Sequence, residues 1–282
     1  VLDLDFPDPY VIATADGFRA FGTNSRGLNV PSASSDDLGS WTQRGDALPD
    51  LPSWVKAGSV WAPSVQRVHD GSVMYVTVGD LRRARQCVFV ATSTGVGGPY
   101  TLGDQPIVCA AGGSIDASPS RDPDGALRLV WKDEPAGGAP ARIRTARLTD
   151  DGLQLAQSAT TLVSSGDLAG RENVEAPSLL STEHGWVLFF SVGDWHTDAY
   201  RTGYATCTTV AGPCDVRSIA WLTVAAVGRG PGGLEAFTDV DGQAYVAYHS
   251  WSRSRRVLSI DRLETTAGRP PVLVPRASGR AR

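Results

Sequence analysis

Asn173-Val174-Glu175-Ala176-Pro177-Ser178-Leu179 sets a carboxylic acid among apolar residues, at the start of what reads as a buried β-strand. An acid so placed is costly unless it is paired or opens onto a cavity. The same kind of opening recurs along the chain. Asp8 opens Asp8-Pro9-Tyr10-Val11-Ile12, Trp61 opens Trp61-Ala62-Pro63-Ser64-Val65 and Asp116 opens Asp116-Ala117-Ser118-Pro119, with Glu235-Ala236-Phe237 as a looser fifth copy. The intervals between these five openers are 53, 55, 59 and 60 residues. A near-regular period of a few tens of residues is the signature of a repeat architecture.

Each opener is followed by a turn dipeptide and a second strand. Asp16-Gly17, Asp70-Gly71, Asp124-Gly125, His184-Gly185 and Asp241-Gly242 each precede a run such as Val73-Met74-Tyr75-Val76 or Val187-Leu188-Phe189-Phe190. Asp-Gly between apolar runs is a strong hairpin signal, so one hairpin is expected five times. A third strand fits 86–92, 141–148, 203–207 and 256–263, and no helical period persists for three turns. Short strands, dense turns and this period predict an all-β, five-bladed β-propeller in one domain, residues 1–264. Residues 265–282, rich in Pro and Arg, are expected to form a mobile C-terminal tail.

Composition narrows the function. The chain has 282 residues, 41% of them hydrophobic, with a formal charge of -4. No clustered basic face precedes the last few residues, which excludes a nucleic-acid partner. No apolar run approaches the roughly 18 residues that cross a bilayer, so no membrane partner is expected either, and a monomer is. The chain starts at Val1 without a signal peptide, which suggests a mature or trimmed form. Cys87, Cys109, Cys207 and Cys214 form no Cys-x-x-Cys pair. Proximity pairs Cys87 with Cys109 and Cys207 with Cys214, one of three arrangements, in a secreted protein.

First strands line the channel of a propeller, so the openers should converge on the axis. Asp8, Asp116 and Glu175 would then crowd into one pocket, where at least one carboxyl must hold its proton. Two carboxyls of divergent proton affinity are the equipment of acid–base hydrolysis, and glycoside hydrolysis needs them with no organic cofactor. Local readings compete: Asp8-Pro9 is a common turn pair, Asp116 could cap a turn through Ser118, and Glu235 could mean that acids at these positions are structural.

Asp5-Phe6-Pro7-Asp8-Pro9, Val60-Trp61-Ala62-Pro63-Ser64, Gly113-Ser114-Ile115-Asp116-Ala117-Ser118 and Val174-Glu175-Ala176-Pro177-Ser178 resemble, in order and at blade spacing, the motifs of glycoside hydrolase family 43. The resemblance spans residues 3 to 263. It implies a five-bladed propeller with an inverting mechanism and a deep axial pocket. It implies that Asp8 is the general base, Glu175 the general acid, and Asp116 the acid that tunes and orients Glu175. Trp61 matches a pocket-wall aromatic. His249 matches a histidine of the last blade near an axial metal ion, usually calcium. Either Arg255 or Arg256 answers to an arginine that reaches the pocket, and Arg256 is carried forward. Trp195, beside His196 on a loop, would line the rim or cover the core edge, and Ser120-Arg121-Asp122 stands where an aromatic is expected. The expected activity is an exo-acting α-L-arabinofuranosidase releasing arabinose from arabinan or arabinoxylan, with a β-xylosidase or endo-arabinanase as alternatives. A propeller that binds carbohydrate without catalysis is the alternative from another class.

Overall fold

The computed structural model describes Leu2, residues 4–170 and residues 172–274. Twenty strands form five four-stranded antiparallel sheets, each contiguous in sequence. Blade one holds β1 (Tyr10–Thr14), β2 (Gly17–Phe21), β3 (Pro31–Ser35) and β4 (Thr42–Asp46). Blade two holds β5 (Val55–Val68), β6 (Gly71–Asp80), β7 (Arg85–Ser93) and β8 (Thr101–Val108). Blade three holds β9 (Ser114–Arg121), β10 (Leu127–Asp133), β11 (Arg142–Arg147) and β12 (Thr160–Ser164). Blade four holds β13 (Val174–Thr182), β14 (Gly185–Val192), β15 (Arg201–Cys207) and β16 (Cys214–Leu222). Blade five holds β17 (Arg229–Thr238), β18 (Ala244–Ser252), β19 (Arg255–Glu264) and β20 (Val272–Val274). The chain is thus a five-bladed β-propeller, and all five turn dipeptides join the first two strands of a blade. Among the described residues no helix is long and apolar enough to cross a membrane.

The inner strands of each blade are apolar on two faces, and each face packs against a neighbouring blade. Five hydrophobic clusters result, one per blade interface. Phe21 and Leu48 meet Val76 and Phe89 between blades one and two, and Val130 and Ile143 meet Leu188 and Phe190 between blades three and four. The ring closes where Leu2, Phe6 and Val11 pack on Phe237, Ala247 and Leu258. Leu2 bridges Leu258, and the Phe6 amide donates to the Arg256 carbonyl at 2.8 Å. The disulfides are Cys87–Cys109 in blade two and Cys207–Cys214, which ties β15 to β16.

The tail expected from residue 265 begins differently. Val272–Val274 returns to pair with Arg262, Leu263 and Glu264 of β19 and supplies the fourth strand of blade five. The Pro271 carbonyl on the way accepts from the Trp221 indole at 2.8 Å. Residues 275–282 of that expected tail lie outside the described residues.

One backbone device sets the openers. Near the inner end of each first strand one residue adopts a left-handed conformation: Asp8 (φ 47°), Ala62 (42°), Asp116 (57°), Ala176 (47°) and Gly233 (56°). Such outliers in non-glycine residues persist only where the surroundings hold them. Here a side chain takes each exposed amide. The Ala62 N–H donates to Thr23 Oγ1 (2.8 Å), Asp116 N–H to Thr77 Oγ1 (3.0 Å), Ala176 N–H to Asp116 Oδ2 (2.9 Å), Gly233 N–H to Ser191 Oγ (2.9 Å) and Asp8 N–H to His249 Nδ1 (3.1 Å). Every one of these bonds except that of Asp116 Oδ2 comes from beside or within a second strand, and each crosses to the next blade. Thr77, fully buried, shows what one of them contributes. Thr77→Val keeps the shape and strands the Asp116 amide, so urea unfolding should show about 1–3 kcal/mol lost with an unchanged m-value.

Candidate active site

The strained openers deliver side chains into a cavity of about 360 Å3 on the propeller axis. Asp8, Trp61, Asp116, Glu175, Trp195 and Arg256 all line it. Three carboxylates remote in sequence therefore share one hollow. Arg256, rather than Arg255, is the arginine on its wall.

Asp8 accepts a 2.6 Å hydrogen bond from Thr23 Oγ1 and has the Arg256 guanidinium 3.8 Å from Oδ2. Burial pushes its carboxyl up, but the Arg256 guanidinium and the Thr23 hydroxyl beside it pull the other way, and it stays below the usual range. It is an ionised base at neutral pH. Asp116 is the opposite case. Burial first, then the charges of Glu175 and Asp8, push it up to about 8, against the pull of Lys132 and the Ala176 amide. Acid and base character are thus divided among neighbouring carboxyls by their surroundings.

Glu175 is gripped by three donors. Tyr200 O–H donates to Oε1 at 2.9 Å, and Asn173 Nδ2 and Lys132 Nζ reach Oε2 at 2.7 and 3.2 Å. Tyr200 is fixed as a neutral donor, because burial and the charges of Glu175 and Asp8 push its phenol well above 10. Arg256 lies over the Trp195 ring at 4.4 Å and 5.8 Å from that of Trp251, the two indoles being within 7° of parallel. A guanidinium stacked in this way keeps its planar fork in one orientation. Trp195 lines the cavity and also covers its edge, accepting the Trp251 indole N–H at its carbonyl.

His249 corrects an expectation. It is fully buried on β18, and Nδ1 accepts the Asp8 N–H, which places the ring proton on Nε2. Burial lowers its pKa to about 4, so the ring is neutral. Nε2 has no hydrogen-bond partner among the described residues. In that tautomer neither nitrogen offers an ion a lone pair, and calcium favours six to eight oxygens. No group of three His, Cys, Asp or Glu side chains suited to a metal occurs among the described residues. The residues present do not fit a calcium ion ligated directly by His249. What the ring does is close the propeller onto Asp8.

Glu235 is the second correction. The fifth left-handed residue is Gly233, so Glu235 lies two residues beyond that position, whereas Asp8 and Asp116 occupy it and Trp61 and Glu175 immediately precede it. It lines a separate axial cavity of about 30 Å3 and accepts from Ser118 Oγ at 2.9 Å. Burial pushes its carboxyl from 4.5 to about 8, with Ser118 and Ser178 opposing. The folded state therefore binds this proton more tightly than the unfolded one. The stability it contributes is fully present below about 4.5 and is lost as pH rises through about 8. Scanning calorimetry should show Glu235→Gln melting higher relative to the parent as pH climbs across that window, the gap levelling off above it.

Thr23, Lys132, Glu134, Asn173 and Tyr200 also touch the site or its acids. Reading the openers alone misses them. The signal for Thr23, Lys132 and Glu134 is a polar residue at the end of an otherwise apolar second strand, whereas Asn173 stands just before the first strand β13. Tyr200, on a loop before β15, carries no such mark.

Comparison with known proteins agrees with this geometry. The sequence profile described as Glycosyl hydrolases family 43 matches residues 1–273. The beta-D-galactofuranosidase xynD of Aspergillus niger is 29% identical over 254 residues, which cover 82% of this chain and 69% of that one. The crystal structure of a thermostable family-43 glycoside hydrolase superposes with a TM-score of 0.85 at 21% identity, covering 99% of this chain and 97% of its own. An endo-1,4-beta-xylanase from Bacteroides thetaiotaomicron superposes at 0.78 with 29% identity, covering 96% and 94%.

Proposed function

The chain belongs to glycoside hydrolase family 43, and from that premise we propose that it is an inverting, exo-acting α-L-arabinofuranosidase that releases arabinose from arabinan or arabinoxylan. The observation that carries this reading is the meeting of Asp8, Asp116 and Glu175 in one cavity. Asp8, kept ionised by Arg256 and Thr23, takes a proton from the attacking water. Glu175, on the opposite side of the scissile bond, protonates the departing oxygen. Asp116 orients Glu175 through the Ala176 amide. Trp61 and Trp195 offer apolar faces to the sugar ring, and Arg256 donates to its hydroxyls. The two disulfides fit an oxidising compartment, and a secreted monomer completes the proposal.

A second furanoside is favoured by a specific observation. The Aspergillus niger relative is named for β-D-galactofuranose, whose ring shares its stereochemistry with α-L-arabinofuranose and adds an exocyclic carbon. Chromatography of sugars released from arabinan, arabinoxylan, xylan and a galactofuranoside separates these readings. Arabinose alone is expected. Xylose alone would replace the proposal with a β-xylosidase, galactose with a galactofuranosidase, and arabino-oligosaccharides with an endo-arabinanase. Proton NMR of the first product should show the anomer opposite to that of the substrate; the same anomer would overturn inversion.

A further inference from the structure

Lys132 is 2% exposed, a rare state for a lysine. Its position in the propeller gives the reason. In blades two to five the residue before the left-handed one pairs with a fixed place on the second strand: Trp61 with Thr77, Ile115 with Lys132, Glu175 with Ser191, Gly232 with His249. Thr77, Ser191 and His249 each use that place to accept the amide of the next blade. An ammonium accepts nothing. In blade three the Ala176 amide is taken instead by Asp116 Oδ2, and Lys132 Nζ is released to reach Glu175 Oε2 at 3.2 Å and Glu134 Oε1 at 3.1 Å. Glu134 stands on the cavity wall with 29% of its side chain exposed.

We propose that Lys132 is a positioning residue for Glu175, that Glu134 balances its charge, and that this pair sets the pH range over which Glu175 acts as an acid. The inference rests on the reading of Glu175 as the general acid. The groups facing the bridge are Glu175, Glu134 and Asp116 around Lys132, with Tyr200 and Asp8 beyond Glu175. Lys132 is the cation among them, 3.2 Å from Glu175 Oε2 and 3.1 Å from Glu134 Oε1, so it favours the ionised form of its neighbours, and Glu134 draws off part of that pull.

The two neighbours therefore make opposite predictions. Activity is followed against pH with whichever of the methyl α-L-arabinofuranoside, β-D-xyloside and β-D-galactofuranoside the parent cleaves fastest, since an alkoxide leaving group needs the acid's proton. In Lys132→Met the alkaline limb of kcat/KM should move up by about 1–3 pH units, with kcat at least tenfold lower and KM little changed. In Glu134→Gln the same limb should move down, by less. A role in packing alone would lower the melting temperature or the amplitude and leave both limbs where the parent has them, and that result overturns the proposal. If Lys132→Met does not fold, Glu134→Gln decides: an unmoved or raised limb rejects the bridge. Failure of the underlying reading is seen separately, as a Glu175→Gln variant that retains parental activity whatever the leaving group.

Discussion

Glu175→Gln should lower kcat/KM on arabinan by about 10²–10⁴-fold and cost far less on 4-nitrophenyl α-L-arabinofuranoside. The substitution is close to isosteric. The glutamine carbonyl can face Asn173 and Lys132 while its amide nitrogen donates to the Tyr200 oxygen, so the side chain stays where Glu175 is now held. What is lost is the proton. A sugar alkoxide cannot leave without one, whereas 4-nitrophenolate can. A series of aryl substrates of rising leaving-group pKa should therefore give parallel rates for good leaving groups and diverging rates for poor ones. Equal losses across the series would remove Glu175 from the role of acid.

Gly233→Ala should reduce kcat by about 10²-fold although the residue need not touch substrate. A Cβ there would sit 2.7 Å from both Asp8 Oδ1 and His249 Nδ1, closer than real contacts permit. Conformational strain is the smaller part of the effect. Alanine already occupies the equivalent left-handed places at Ala62 and Ala176, where such a φ costs about 1–2 kcal/mol. The larger part is displacement of the base and of the imidazole that anchors its amide. Gly242→Ala supplies the control, since its φ is also positive (81°) and nothing lies within 4 Å of the added carbon. It should lose some stability and no activity. If Gly233→Ala keeps parental kcat, Asp8 does not depend on this close packing.

Much of this was legible in the sequence, for an identifiable reason. Inner strands are apolar on both faces and bounded by Asp-Gly turns, so repeat, hairpins and blade count could be read directly. Outer strands could not. Thr42–Asp46 is largely exposed and carries no apolar alternation, and Val272–Val274 is three residues long. They are strands because a partner edge is present, which local sequence does not encode. The site divides in the same way. Asp8, Asp116 and Glu175 lie within one residue of the left-handed position of their blades and were found together. Glu235 imitated that placement, since counting residues cannot show that the left-handed turn of blade five falls on Gly233. Lys132, beside Asp133 and Glu134, carries no mark of burial in the local sequence, and its buried place opposite Ile115 is a matter of coordinates. The ring nitrogen that His249 commits to Asp8 is likewise a matter of coordinates.

The closing contact between first and last blades has a consequence for the base. The glutamate's three donors, Lys132, Asn173 and Tyr200, all precede blade five in the chain. The aspartate at position 8 relies on His249 and Arg256, some 240 residues downstream. Without blade five, Asp8 would lack both the acceptor for its amide and its guanidinium neighbour, while Glu175 would keep all three of its donors.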